Sequence, residues 1–166
     1  MDCADFIPNL VKRNGISYFR CRILSNLTNG RACEVKISLK TGNLTSCLRE
    51  VIIEIVRLLT ASNRTKLNNN PAYMPVVVEK VGRLPGDGEV ISIAHYGEQN
   101  GDLMADPEME FTIIGGDYYP ISFRNDYLCK HNSIFEDDGI NLPLQHDLTT
   151  LANQWMRNIA EQQNMA

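Results

Sequence analysis

Apolar residues in this chain recur with two different periods, and the switch between them restricts the fold more than any other feature. Apolar and polar residues alternate from Ser17 to Ile23 and from Cys33 to Leu39, which predicts two antiparallel β-strands. Over 43–61 and 147–163 the apolar residues return every three or four positions, which predicts two amphipathic helices. Four more strands are predicted at 74–81, 90–96, 109–114 and 118–123.

The order of these elements predicts an α+β fold. We expect an antiparallel β-sheet arranged as a meander with amphipathic helices packed on one face, preceded by a small basic β-ribbon and a helix. Asn43 and Asp147 are predicted to cap the two helices, and a short strand pair is predicted around Ile134 and Ile140 in an otherwise irregular stretch. The predicted apolar stripe of the last helix consists of Leu148, Leu151, Ala152, Trp155 and Ile159.

The charge of the chain is divided unevenly along its length. Residues 1–70 carry 11 basic and 5 acidic residues, a balance of +6, whereas residues 71–166 carry 5 basic and 15 acidic residues, a balance of −10, and together they give the net charge of −4. Such a division favours two modules with different partners, although attraction between the two halves would also account for it. We predict a basic module over 1–62, a linker over 63–72 and an acidic α+β domain over 73–166.

The sequence lacks the residues that several classes of function require. The longest nearly apolar stretch, Val51–Leu59, is interrupted by two charged residues and is too short to cross a membrane. The first residues lack the pattern of a signal peptide, so we expect a cytoplasmic protein without a membrane partner. No motif of a nucleotide, zinc-protease or serine-hydrolase site is present, and we predict no cofactor, no metal and no catalytic residue. Five irregularly spaced cysteines predict reduced thiols and no disulfide framework.

Basic residues concentrate on the predicted N-terminal ribbon. Alternation puts Tyr18, Arg20 and Arg22 on one face of the first strand. A two-stranded ribbon fits the major groove of DNA, where Arg and Lys meet phosphates and guanine edges, although a solvated basic face would have the same pattern. The predicted DNA-binding residues are Lys12, Arg13, Tyr18, Arg20, Arg22, Lys36 and Lys40.

The second candidate site is a polar segment between two predicted strands, from His95 to Glu108. It contains one histidine and four carboxylates, which suits a partner-binding surface, a hard cation or a catalytic base. The plainer interpretation is a connection in which Asn100-Gly101 and Asp106-Pro107 form turns. The candidate residues are His95, Tyr96, Glu98, Asn100, Asp102, Asp106 and Glu108.

The N-terminal segment resembles a known family. The run from Lys12 to Arg22 (KRNGISYFRCR) and the run from Ser38 to Thr41 (SLKT) are similar to the N-terminal segment of phage-type tyrosine recombinases, the integrases. In that family the segment is a small sheet with a helix that helps to bind DNA, so the resemblance implies DNA contact over residues 9–49. Nothing in the chain matches the recombinase catalytic domain, and recombinase activity is not implied.

A longer resemblance covers residues 68–165. The runs 69–75 (NNPAYMP), 93–111 (IAHYGEQNGDLMADPEMEF), 119–128 (YPISFRNDYL) and 151–159 (LANQWMRNI) resemble an uncharacterised protein family of bacteriophages and integrative or conjugative elements. The resemblance implies a mobile genetic element in a bacterial host cell and implies no particular reaction.

Three hypotheses of function follow from these observations. The first is a non-catalytic accessory protein of a phage or mobile element, with duplex DNA on the basic ribbon and a host or element-encoded protein on the acidic domain. The second is an inhibitor of a host defence nuclease, of the anti-CRISPR or anti-restriction type, that acts by protein binding or by nucleic-acid mimicry. The third is a metal-dependent enzyme that uses the segment His95–Glu108. The oligomeric state is left open.

Overall fold

The N-terminal strands form a small antiparallel sheet of their own. The computed structural model describes residues 9–13, 16–23, 33–38, 46–60, 62–84, 88–136 and 139–165. Strands β1 (Asn9–Arg13), β2 (Ile16–Ile23) and β3 (Cys33–Ser38) pair in the order β1-β2-β3. The sequence pattern predicts β2 and β3 but not β1, because Leu10 and Val11 are adjacent and do not alternate with polar residues.

Helix α1 (Ser46–Arg57) continues into one turn of 3-10 helix at Leu58–Thr60. This agrees with the predicted helix over 43–61, whereas Asn43, its predicted cap, lies outside the described residues. Ile52, Ile55 and Leu59 are buried, as the helical spacing of the apolar residues requires.

The main sheet has six antiparallel strands. They are β4 (Arg64–Leu67), β5 (Val76–Leu84), β6 (Gly88–Gln99), β7 (Asp102–Ile114), β8 (Asp117–Asn125) and β9 (Lys130–Ser133). Each strand pairs with the next strand in the sequence, so the predicted meander is confirmed. Strands β6 and β7 are longer than predicted because they extend through most of the polar segment His95–Glu108.

Strand β4 lies inside the stretch that the sequence predicts to be a linker. Its four residues pair in register with β5, from Arg64 opposite Glu79 to Leu67 opposite Val76. The sequence pattern does not predict this strand, because an edge strand of four residues buries only one side chain, Leu67, and the rest of 61–71 is largely polar. Helix α1, which the predicted boundaries group with the ribbon, shares a core with the main sheet. Whether β1–β3 form a separate module stays a prediction.

The chain closes with a two-residue strand pair and a long helix. Strands β10 (Phe135–Glu136) and β11 (Gly139–Ile140) pair as predicted, and helix α2 spans Leu142–Gln162. The predicted cap Asp147 is wrong, because the helix begins five residues earlier. Asn141 caps it by accepting a 2.8 Å hydrogen bond from the Leu144 N–H.

Alternation gives the main sheet one apolar and one polar face. The apolar face packs against both helices through Val78 of β5, Ile93 of β6 and Phe111 of β7, all fully buried. From α2, the core receives Leu148, Ala152, Trp155 and Ile159 as predicted. Leu151 is 38% exposed, so its predicted place in the stripe is wrong. The opposite face, called the polar face below, carries Glu79, Ser92, Glu108, Glu110, Ser122 and Arg124.

Two further predictions from the sequence concern membrane-spanning segments and the cysteines. Of the helices that the structure describes, none is both long and apolar enough to span a membrane. Among the cysteines, Cys129 is described with its side chain, and it is an exposed free thiol.

The capping of α2 is testable by paired substitutions. Asn141→Ala removes the acceptor for the Leu144 N–H, and we expect it to lower the free energy of unfolding by about 1 kcal/mol. Asp147→Ala changes an exposed residue inside the helix and should lower it by less than about 0.5 kcal/mol. Urea denaturation of both variants measures the difference. Equal effects would contradict the cap at Asn141.

Candidate functional site

The polar segment His95–Glu108 forms a β-hairpin. Strands β6 and β7 are joined by the two residues Asn100 and Gly101, with Gln99 paired opposite Asp102. Both turn residues have positive φ, 56° and 89°, which is the backbone of the two-residue turn that Asn-Gly favours. Asn100 therefore has a turn role, and Glu98, Asn100 and Asp102 are exposed at the tip of the hairpin.

An irregularity in the hairpin sets His95 apart from its neighbours. Ala94 pairs with Glu108 and Tyr96 with Ala105, so two residues of β7, Asp106 and Pro107, lie opposite the single residue His95. Such a bulge accommodates Pro107, which has no N–H to donate to the ladder. The predicted turn at Asp106-Pro107 is therefore wrong, because these residues form a bulge within a strand.

His95 is a buried residue of the apolar face. Its side chain is 4% exposed, and its Nδ1 lies 3.1 Å from the Pro75 carbonyl oxygen. Since a carbonyl only accepts, Nδ1 donates the hydrogen bond. The imidazole meets the Trp155 ring edge-on, with centroids 5.6 Å apart. Burial lowers the pKa of His95, and the Pro75 carbonyl and the Asp106 carboxylate oppose this effect only in part.

The carboxylates of the polar face are held by neighbouring hydroxyls. Ser92 donates a 2.6 Å hydrogen bond to Glu108, and Ser122 donates a 2.7 Å hydrogen bond to Glu110. Arg124 lies 4.0 Å from Glu108. These contacts give the two glutamates partners within the sheet itself.

Residues that the sequence analysis did not select tie the turn after β8 to β7. Asp126 accepts a 2.8 Å hydrogen bond from the Ala105 N–H and donates its own N–H to the Ala105 carbonyl at 2.9 Å. Arg124 donates two hydrogen bonds to the Asp126 carboxylate, at 2.7 and 3.0 Å, and holds the pKa of Asp126 below its usual range. Asn125 donates to Asp106 at 2.9 Å. A turn-forming Asn-Asp pair after a strand is the one sequence signal for this arrangement.

The candidate residues therefore do not form one site. His95 lies on the apolar face, whereas Tyr96 and Glu108 lie on the polar face. Glu98, Asn100 and Asp102 are exposed at the hairpin tip, and Asp106 lies in the bulge of β7. Burial and the nearby Glu108 raise the pKa of Tyr96. Within the described ranges, no three His, Cys, Asp or Glu residues are grouped so that they could hold a metal ion.

A cavity of about 380 Å³ lies on the polar face between β4 and the hairpin. Tyr96 is the only one of the seven candidate residues that lines it. The other lining residues come from separate parts of the chain, and for this reason the sequence does not reveal the cavity. They include Arg64, Lys66, Pro75, Val77 and Leu103.

The backbone register assigns most of the predicted DNA-binding residues to one face of the N-terminal sheet. Arg20 is directly opposite Lys36, and Arg22 is opposite Glu34. Arg13 pairs with Ile16, which shares a face with Tyr18 and Arg20 by strand periodicity. Lys12 pairs with Ser17 and so belongs to the opposite face. Lys40 lies outside the described residues.

The fold and the hairpin define an α+β protein built on a six-stranded meander with two helices on one face. A family model described as a domain of unknown function, DUF6908, matches residues 50–165, and the chain belongs to this family. The match runs from α1 past the end of α2 and leaves out β1–β3. No curated protein and no solved structure matches the chain.

The burial of His95 predicts a pH dependence of stability. Because its pKa is lower in the folded than in the unfolded protein, its contribution is complete above about pH 6.5 and declines as the pH falls below that value. We expect the free energy of unfolding of His95→Gln to decrease less between pH 7 and about pH 5 than that of the wild type.

The matched control for this experiment is His131→Gln, which makes the same replacement at an exposed histidine of β9. Urea denaturation at each pH gives the free energies. NMR titration of the His95 ring should give a midpoint below about 6.5. A midpoint at or above this value would contradict the predicted effect of burial.

Proposed function

We propose that the protein is a non-catalytic accessory protein of a phage or another mobile genetic element. It contacts duplex DNA through β1–β3 and a protein partner through the acidic six-stranded domain. The observation that carries the proposal is the register of the N-terminal sheet, in which Arg20 is directly opposite Lys36 and Arg13, Tyr18 and Arg22 belong to the same face.

The distribution of charge supports DNA binding by β1–β3 rather than by the six-stranded domain. This face of the small sheet carries four cations against one acid, Glu34. The excess of cations suits a row of phosphates, because each neutralised phosphate releases condensed counterions. Residues 46–166, which include α1, the main sheet and α2, carry 9 basic and 17 acidic residues, a balance of −8 that repels DNA. The resemblance of residues 9–49 to the DNA-binding segment of integrases favours the same arrangement.

Nucleic-acid mimicry by the acidic domain receives less support, because many of its carboxylates are bound within the domain. Besides Glu108 and Glu110 on serine hydroxyls, Glu89 lies 2.9 Å from Lys80, and Asp117 lies 3.2 Å from Arg49. Asp126 is held by Arg124. A mimic of DNA needs a continuous face of unpaired acids, whereas these acids lie on the polar face, beside α1 and in the turn after β8.

The proposal predicts salt-dependent binding to generic duplex DNA. Four phosphate contacts give a slope of log K against log salt of about −4. We expect each of Arg20→Glu, Arg22→Glu and Lys36→Glu to weaken binding and to reduce the steepness of this slope by about one. Fluorescence anisotropy with a labelled duplex at several salt concentrations measures both quantities.

The matched control for these variants is Lys12→Glu. It introduces the same change of charge on the opposite face of the same sheet, and it should retain the slope. Circular dichroism verifies that each variant is folded. The proposal is wrong if the wild type does not bind at low salt, or if the three substitutions on the basic face leave the slope unchanged.

The hypothesis of metal-dependent catalysis by the hairpin requires that the folded protein binds a metal ion, and thermal unfolding tests this requirement. A metal that binds the folded state raises its melting temperature by mass action. We expect Mg²⁺, Mn²⁺, Ca²⁺ and Zn²⁺ to leave the melting temperature unchanged, because His95 is buried and Glu108 is held by Ser92. A rise with one of these ions that is lost in His95→Gln would favour the enzyme instead.

A further inference from the structure

The cavity on the polar face contains an apolar surface that is partly open to water. Val77 is buried there, Tyr96 is half-buried, and Leu103 is 65% exposed. Of the large apolar side chains that the structure describes, Leu103 is the most exposed. Because these three side chains line one cavity, a second surface that covered them would remove a shared apolar area from water.

Charges of opposite sign border this apolar surface from two sides. Arg64 and Lys66 come from alternate positions of β4, and they line the cavity from the edge of the sheet. Glu98 of β6 lies directly opposite Leu103 of β7, so the two side chains share the polar face near the end of the hairpin. Tyr96 lies between these two groups of charges, because β5 and two residues of β6 separate them.

The charges around the cavity differ in whether they have partners. Glu79 lies 3.9 Å from Arg64, and Glu108 accepts a 2.6 Å hydrogen bond from a serine hydroxyl. In the part of the chain that the structure describes, the side chains of Glu98 and Lys66 form no ion pair and no hydrogen bond. The patch therefore offers one unpaired carboxylate and one unpaired ammonium group to another molecule.

We infer that the protein forms a two-fold symmetric dimer through this surface, the cavity patch, which consists of Lys66, Val77, Tyr96, Glu98 and Leu103. In a two-fold interface the same patch faces itself, and each contact occurs twice. An axis beside Tyr96 brings Glu98 of each copy to the partner's Lys66. Leu103 of each copy then covers the apolar surface of the other cavity.

The balance of charge favours a second copy over other occupants. The two cations, Arg64 and Lys66, are offset by three nearby carboxylates, those of Glu79, Glu98 and Glu108. A nucleic acid requires an excess of cations, and an acidic or basic peptide requires an excess of one sign. A surface with both signs on its two sides is complementary to its own rotated copy. The net charge of −4 opposes this association only weakly, because salt screens exposed charges beyond about 8 Å.

The association state of the full chain tests the inference. Sedimentation equilibrium between about 1 and about 500 μM should give a mass that rises from one chain, 18.7 kDa, toward twice that value. Leu103→Glu places a charge in the apolar part of the patch and should weaken the dimer at least about ten-fold. The matched control Leu151→Glu makes the same replacement at an exposed position of α2, on the other side of the sheet, and should retain the wild-type dimer.

Charge reversal tests the contact between Glu98 and the partner's Lys66. Glu98→Lys alone, or Lys66→Glu alone, places two pairs of like charges in the dimer and should weaken it on the order of ten-fold. An equimolar mixture of the two variants forms a heterodimer in which both pairs are attractive again, so it should associate as tightly as the wild type. Mixing does not repair a folding defect, and this recovery therefore separates the contact from misfolding.

Three results would overturn the inference. The first is a mass of one chain across the whole concentration range, which would leave the patch to a partner of another kind. The others are a Leu103→Glu variant that associates like the wild type, and a mixture of the charge variants that shows no recovery. The cavity patch and the proposed DNA-binding face use different residues, so either proposal can fail without the other. The Arg20→Glu variant should dimerise as the wild type does.

Discussion

The structure depends on the burial of one face of the six-stranded meander beneath two helices. Val78, Ile93 and Phe111 come from three neighbouring strands and are fully buried, and Ile55 of α1 and Ile159 of α2 cover the same core. Removing this apolar surface from water is the main favourable term in the folding of a small domain. Because strand side chains alternate, fixing this face also fixes which residues form the other one.

The polar face follows from that constraint and satisfies much of its own polarity. Ser92 and Ser122 donate to Glu108 and Glu110, and Arg124 holds Asp126 in a bidentate pair. Charges that are neutralised in this way stabilise the sheet and attract few outside partners. At the β4 edge Arg64 and Lys66 line the cavity, and Glu79 and Glu108 are carboxylates near it.

Sequence reasoning was most successful where a pattern was long. The α+β class, the meander and the burial of Trp155 all followed from periodicity and turn residues. It failed at element ends, since Asn141 and not Asp147 caps α2. It also failed at β4, whose four residues carry too little pattern to distinguish a strand from a loop.

The polar segment illustrates the division between sequence and tertiary structure. The sequence by itself determined that Asn100-Gly101 would form a turn and that one histidine and several acids would lie nearby, because these depend on local backbone preferences and composition. Only the tertiary structure decided that His95 is buried against Trp155 while Tyr96, its neighbour, faces a cavity with Arg64 and Lys66. These contacts join residues far apart in the chain, and they depend on strand register and on the bulge at Asp106 and Pro107 opposite His95. No local pattern encodes them.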